Sequence, residues 1–178
     1  WDNLSAKTLK NLLAPILTEL FNHSFSEGVF PQCLKKSFVT SILVSGKTQP
    51  GNYRPIAVLP IISKLLEKCM STRLINYLES NNLITEHQYG FRQKSNTESA
   101  SLTLLIKSET AWKNEYCATI FLDSPKAFDG VDHTLLLNKL PSFGVLGHSQ
   151  KWFTSYLNQR FHSVRINSTI SDQQEALT

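Results

Sequence analysis

An α+β fold, helix-rich and with an incomplete antiparallel sheet, is predicted by three features of this 178-residue sequence. Leucine and isoleucine recur at helical spacing in two long stretches, 9–21 and 62–78. Short runs rich in β-branched and aromatic residues, SFVTSILV (37–44), YCATIFLD (116–123) and FHSVRIN (161–167), have strand character. The composition, 41% hydrophobic and 18% charged, is that of a folded chain with enough residues for one sizeable core.

The elements follow in order. Ser5 can cap a first helix whose apolar face is Leu9, Leu12, Leu13, Ile16, Leu17, Leu20 and Phe21. Pro15 should kink or tighten it, and Gly28 and Pro31 end it. Residues 37–44 form a strand, and SGKTQPGN (45–52) is a turn-rich loop. A second amphipathic helix, about 61–79, presents Ile62, Leu65, Leu66, Cys69, Met70, Leu74 and Leu78. HQYGFRQKSN (87–96) reads as a loop, and Asn96 or Thr97 caps a third helix running to about Asn114. Residues 116–123 are the clearest strand. Asp132 caps a short helix over 133–140, and Ser149 caps another that buries Trp152, Phe153, Tyr156 and Leu157. FHSVRIN and the terminal QEALT pair across a polar turn. A chain that begins at Trp1, without signal-peptide features, and stops on a strand is expected to be excerpted from a longer one.

Charge is uneven. Residues 1–100 hold 11 Lys/Arg against 7 Asp/Glu, 101–150 hold 4 against 5, and the last 28 hold 3 against 2. A basic first half before a slightly acidic segment suits nucleic acid on the one and cations on the other, and an ordinary solvated surface suits the same numbers. Cys33, Cys69 and Cys117 match no zinc spacing and read as reduced, buried thiols of an intracellular protein. No apolar run approaches the ~20 residues that span a bilayer, so no membrane partner is expected.

The stretch FLDSPKAFDGVDH (121–133) concentrates three carboxylates. By strand alternation Asp123 shares a face with Cys117, Thr119 and Phe121 and sits where the strand meets solvent. There it is either a ligand for a divalent ion, joined by the following peptide carbonyl, or an aspartate ending a strand at a turn. Asp129, beside Gly130, suits a turn, Asp132 suits a helix cap, and Phe128 suits packing.

This stretch resembles the first catalytic motif of non-LTR (LINE-type) retrotransposon reverse transcriptases, F-x-D-L-x-K-A-F-D-x-V-D-H. GVFPQCLKKSFVTSIL (28–43), GNYRPIAVLPIISKLLEK (51–68), QYGFRQKSNTESA (88–100) and WFTSYLNQR (152–160) resemble the same family in the same order. The resemblance implies a partial right-hand polymerase: fingers over 1–114 and the start of the palm over 115–178. It implies RNA-directed DNA synthesis with two Mg²⁺ ions, an RNA template, a DNA primer and dNTP, together with further palm and thumb segments, in the nucleus. By resemblance Asp123 is the first catalytic aspartate and a metal ligand, and the Ser124 carbonyl is another ligand. Phe128 is the aromatic that leaves no room for a 2′-hydroxyl, and that same crowding argues against an RNA-templated RNA polymerase. Arg54 is a triphosphate contact suited by its bidentate fork. Arg92 and Gln88 lie near template and nucleotide, where packing of the loop is an equal alternative.

Departures from the family pattern are several. Ser124–Pro125 replaces Leu-Ser, and the fingers segment P-x-x-K-[KS]-G-D is SILVSGK, with Ser41 for proline, Val44 for the basic residue and Lys47 for the acidic one. The G-[VI]-P-Q-G-S segment and the paired-aspartate hairpin are not in these 178 residues. The expectation is therefore a polymerase fragment that is inactive alone. The other readings are a remnant that binds RNA through Arg54, Arg73, Arg92 and Lys94, and a non-functional relic.

Overall fold

Helix α1 (Ala14–Glu27) stops at Gly28, whose φ of 68° is left-handed and whose N–H donates to the Ser24 carbonyl. In the computed structural model, which describes residues 13–43, 53–112, 118–124, 127–128 and 130–176, Pro15 occupies the first turn of α1. A missing N–H is harmless there. Leu9 and Leu12 of the expected face lie outside the described residues. A 3₁₀ turn (Gln32–Leu34) leads into β1 (Lys36–Leu43), and β2 (Tyr53–Val58) follows. The loop expected at 45–52 lies outside the described residues. Three helices come next: α2 (Ile61–Ser80), α3 (Thr97–Trp112) and α4 (His133–Lys139). The chain ends with α5 (Gly147–Leu157), β3 (Phe161–Ile166), β4 (Thr169–Ile170) and β5 (Gln174–Glu175).

The sheet is mixed, not antiparallel. β1 pairs antiparallel with β2 and parallel with β3, in register Lys36↔Phe161 and Phe38↔Ser163. A parallel pair needs a long crossover, and among the described residues the β1–β3 connection contains four α-helices and a 3₁₀ turn (Leu140–Phe143). β3 and β5 pair antiparallel, as expected. β2, which contains Pro55, was not among the expected strands. It is an edge strand, where a residue without an N–H is tolerated.

The chain forms two compact units. One joins the chain up to Met70 with the chain after Phe128, and the other is Ser71–Phe128. The division expected at about residue 114 falls inside the span of the second unit. The first unit holds the core: Phe21, Phe30, Leu34, Leu66, Met70 and Trp152. Leu66 and Met70 lie on the expected face of α2, whereas Cys69 on that face is exposed, as is Cys33. Cys33 in the 3₁₀ turn and Cys69 in α2 face outward from the core, and Cys117 lies outside the described residues. Ser149 is interior to α5, whose N-cap is Leu146 with no side-chain bond. The helix begins three residues early, at Gly147.

A polar network lines the core. Ser63 donates to Glu67 Oε1 at 3.1 Å, and Arg160 approaches the same oxygen at 3.8 Å while lying over the Tyr156 ring at 4.7 Å. Burial raises the Glu67 carboxyl above its ordinary value, opposed by Arg160, Ser63, Tyr156 and Lys64. Burial and the Arg160 charge lower the Lys35 ammonium, whose Nζ donates to the Asn158 carbonyl at 3.0 Å. No buried side-chain polar atom among the described residues lacks a partner.

Two stability predictions follow from this packing. A Cβ at Gly28 would lie 2.7 Å from the His148 carbonyl oxygen, in addition to the left-handed φ. Gly28→Ala should therefore lower the free energy of urea unfolding by about 2 kcal/mol or more. An unchanged midpoint would contradict the close approach of α1 to α5. Glu67 holds its proton more tightly folded than unfolded. Its contribution is thus favourable below the ordinary value of 4.5 and is lost as pH rises through the raised folded value. Glu67→Gln should gain stability relative to the parent as pH climbs above 4.5, and a pH-independent difference would show that burial does not set this group.

Candidate functional site

Residues 118–124 make no strand, contrary to the expectation for 116–123. Strand propensity needs a partner, and the described strands all belong to the first unit, whereas this segment belongs to the second. Phe121 is 81% exposed and Leu122 93% exposed, so neither face of the segment is covered. Asp123 and Ser124 are exposed as well.

Two of the motif's three aspartates are among the described residues. Asp132 caps α4: its Oδ1 accepts from the Leu135 N–H at 2.9 Å, as its position before a helical run predicts. Asp129 lies outside the described residues. Asp123 retains a solvent-facing carboxylate. Its oxygen and the Ser124 carbonyl are donors of the kind Mg²⁺ takes. Among the described residues no group of three His, Cys, Asp or Glu side chains converges on a metal position. The described donors therefore do not make a whole ion site.

Phe128 meets a second motif. Its ring stands edge-on to that of Phe91, with centroids 5.9 Å apart and planes at 89°. Phe91, in QYGFR, has a φ of 59°, a left-handed conformation that costs a bulky residue about 1–2 kcal/mol. Sequence reasoning assigned no role to Phe91. Its place beside Arg92 in the motif was the available signal.

The remaining members of the loop are tied locally. Arg92 Nε lies 3.4 Å from Glu79 Oε1, and its NH1 donates to the Thr85 carbonyl at 3.0 Å. Gln88 Nε2 donates to the Gly90 carbonyl at 3.3 Å, and the Tyr89 hydroxyl donates to Thr103 Oγ1 at 2.9 Å. Asn96 caps α3, its Oδ1 accepting from the Ser99 N–H at 2.8 Å. Arg54 belongs to the other unit. It is exposed on the edge strand β2, opposite Ile42, and has no ion pair among the described residues. None of the helices is long and apolar enough to cross a membrane among the described residues.

Residues 34–177 match the family described as reverse transcriptase (RNA-dependent DNA polymerase). The chain is 33% identical over 180 residues to the probable RNA-directed DNA polymerase from transposon X-element of Drosophila melanogaster, a match covering 96% of this chain and 19% of that protein. It is 32% identical over 184 residues to the probable RNA-directed DNA polymerase from transposon BS of the same species, with the same coverage. The RNA-directed DNA polymerase from mobile element jockey of Drosophila funebris is 33% identical over 145 residues, 79% of this chain and 16% of that protein. The chain thus spans at most 19% of the length of these relatives.

The different placements of Asp123 and Asp132 are testable by stability alone. Asp132→Ala should cost about 1 kcal/mol, the worth of a helix cap, while Asp123→Ala should stay within roughly 0.5 kcal/mol of the parent. Equal losses in chemical denaturation would show that both aspartates serve the fold.

Proposed function

Because the chain belongs to the reverse transcriptase family, of the non-LTR (LINE-type) retrotransposon kind, we propose that it supplies the fingers and the beginning of the palm of an RNA-directed DNA polymerase. Fingers over 1–114 and palm over 115–178 are divisions along the chain, and each compact unit draws on both. The substrates are an RNA template, a DNA primer and dNTP, and further palm and thumb segments complete the enzyme. Nuclear action accompanies this reading, since the family primes on chromosomal DNA.

The observation that carries the proposal is the contact of Phe128 with Phe91, which joins the part of FLDSPKAFDGVDH up to Phe128 to QYGFR within the second unit. A ring standing edge-on to another can present a wall, although both rings are largely exposed. Such a wall leaves room for hydrogen but not hydroxyl at the 2′ position of an incoming sugar. Arg54 suits the triphosphate because its guanidinium has no competing ion pair among the described residues and binds phosphate bidentately. Arg92 and Gln88 line the nucleotide side after exchanging their present loop partners. Asp123 and the Ser124 carbonyl supply two of the oxygen donors for a Mg²⁺ pair. The ions, when bound, neutralise charge on the transferring phosphate.

The test is a chimera in which residues 34–177 replace the matching segment of the jockey polymerase, assayed by primer extension on an RNA template. The chimera should extend with dNTP, Asp123→Asn should abolish extension, and Phe128→Val should raise ribonucleotide use roughly tenfold or more. The 178-residue chain alone should give no extension. Synthesis that survives Asp123→Asn would sink the assignment.

A further inference from the structure

We propose that Phe91 is a positioning residue: it braces the Phe128 ring from the side and so shares in setting the choice of deoxyribose over ribose. This deepens the reading of Phe128 as the sugar gate and rests on that reading. Both residues belong to the second unit, and their rings meet edge-on with centroids 5.9 Å apart.

The residue type at 91 serves the fold poorly. Among the described residues, positive φ outside glycine occurs at Asn82, Phe91, Lys94, Gln159 and Asn167. The other four side chains are polar, and only Phe91 puts an aromatic ring in this conformation. Left-handed backbone is costly for a bulky side chain. Burial does not offset the cost, because Phe91 is 83% exposed. A glycine would suit the backbone better and give up little burial. Strain kept without a packing reason points to a task for the ring, and contact with Phe128 is where the ring is placed.

The loop holds Phe91 from both sides. Two residues before it, the Tyr89 hydroxyl donates to Thr103 Oγ1 at 2.9 Å, and Thr103 donates to the Ser99 carbonyl within α3 at 2.9 Å. Immediately after it, Arg92 reaches Glu79 Oε1 at 3.4 Å and the Thr85 carbonyl at 3.0 Å. Exchange of Glu79 for a phosphate would keep that end anchored. The direction of the ring at 91 is therefore set by anchored backbone, not by side chains packed around it.

Phe128 has need of such a neighbour. It is 77% exposed and belongs to no helix or strand. An exposed phenyl ring changes rotamer freely, and a gate that swings aside excludes a 2′-hydroxyl poorly. The Phe91 ring occupies one direction of swing, and the edge-on pairing is itself favourable.

The experiment uses the chimera carrying residues 34–177, with dNTP and ribonucleotide in competition. Phe91→Gly should raise ribonucleotide kcat/KM about three- to tenfold, the worth of one aromatic pair. A damaged fold cannot produce such a gain. Phe91→Tyr, which keeps the ring, should hold the parent's ratio. Phe91→Gly added to Phe128→Val should change the ratio less than about twofold beyond Phe128→Val, because Phe91 acts through Phe128. Multiplying effects overturn the proposal. In the 178-residue chain, Phe91→Gly should not lower the urea midpoint, and a fall would show that the ring serves the fold. In the same chain, labelled phenylalanine should give ring–ring NOEs between 91 and 128, and their absence overturns the proposal whether or not the chimera is active. If Phe128→Val raises ribonucleotide use and Phe91→Gly does not, this proposal fails and the gate reading stands. If Phe128→Val has no effect, the gate reading itself fails and takes the brace with it.

Discussion

The indole of Trp152 is the constraint on which the first unit depends. It is 1% exposed and is ringed by Phe25, Phe30, Phe153 and Tyr156, with centroids 5.3–5.8 Å away. An indole N–H buried this deeply without an acceptor would cost about 1–3 kcal/mol. Ser24, in the last turn of α1, accepts it at 3.0 Å and itself donates to the Val29 carbonyl at 2.6 Å. One hydroxyl therefore fixes α5 against α1 and shapes the exit from α1. The two exits then run side by side. The Phe30 N–H donates to Ser155 Oγ at 3.0 Å, Lys35 Nζ to the Asn158 carbonyl at 3.0 Å, and the Phe161 N–H to the Lys35 carbonyl at 3.3 Å. Parallel pairing of β1 with β3 is the consequence of two helices delivering two strands in the same direction.

That arrangement brings charge into an apolar setting. Lys35, Glu67 and Arg160 all approach the core, and Arg160 spreads its charge over the Tyr156 and Phe30 rings, 4.7 and 5.9 Å from their centroids. Guanidinium tolerates this because it is weakly hydrated and stacks on rings. An ammonium does not, and Lys35 is accordingly lowered, while Arg160 is the common neighbour of all three shifted groups, Lys35, Glu67 and Tyr156.

Local signals in the sequence translated well, and pairing did not. Asp132 and Asn96 were legible as caps because a side-chain oxygen reaching an N–H three residues on is a purely local interaction. The faces of α2 and α5 were legible from periodicity. Yet Leu65 is 38% exposed and Ile16 63% exposed, because the interior is smaller than the apolar faces. β2 contains Pro55, whose tolerance depends on being at a sheet edge. The parallel register was hidden because it is set by Ser24 and Trp152, residues 128 apart. The 118–124 segment misled in the opposite sense, its side chains being strand-like and its partners absent among the described residues. Of the candidate site, Asp123, Phe128 and Arg92 were singled out by the resemblance to reverse transcriptase motifs, and the ring contact with Phe91 came from the structure alone.

The second unit is ordered by polar closure more than by burial. No described residue between Ser71 and Phe128 is buried, and Leu105, Ile106 and Trp112 on α3 are more than half exposed. What holds its loop is Arg92 bridging Glu79 and the Thr85 carbonyl, Tyr89 on Thr103, and the Asn96 cap. Each of these is worth about 1 kcal/mol, so no single one dominates. A nucleotide-side role for Arg92 must therefore compete with its loop role. The competition is affordable on physical grounds: the Arg92 and Glu79 side chains are 24% and 30% exposed, so water can take over Glu79 when the guanidinium turns away. A phosphate, with more charge and a bidentate geometry, then outbids a single carboxylate oxygen at 3.4 Å. On the proposed reading, the bond that closes the loop in the free protein is in this way weak enough to be exchanged for a phosphate contact.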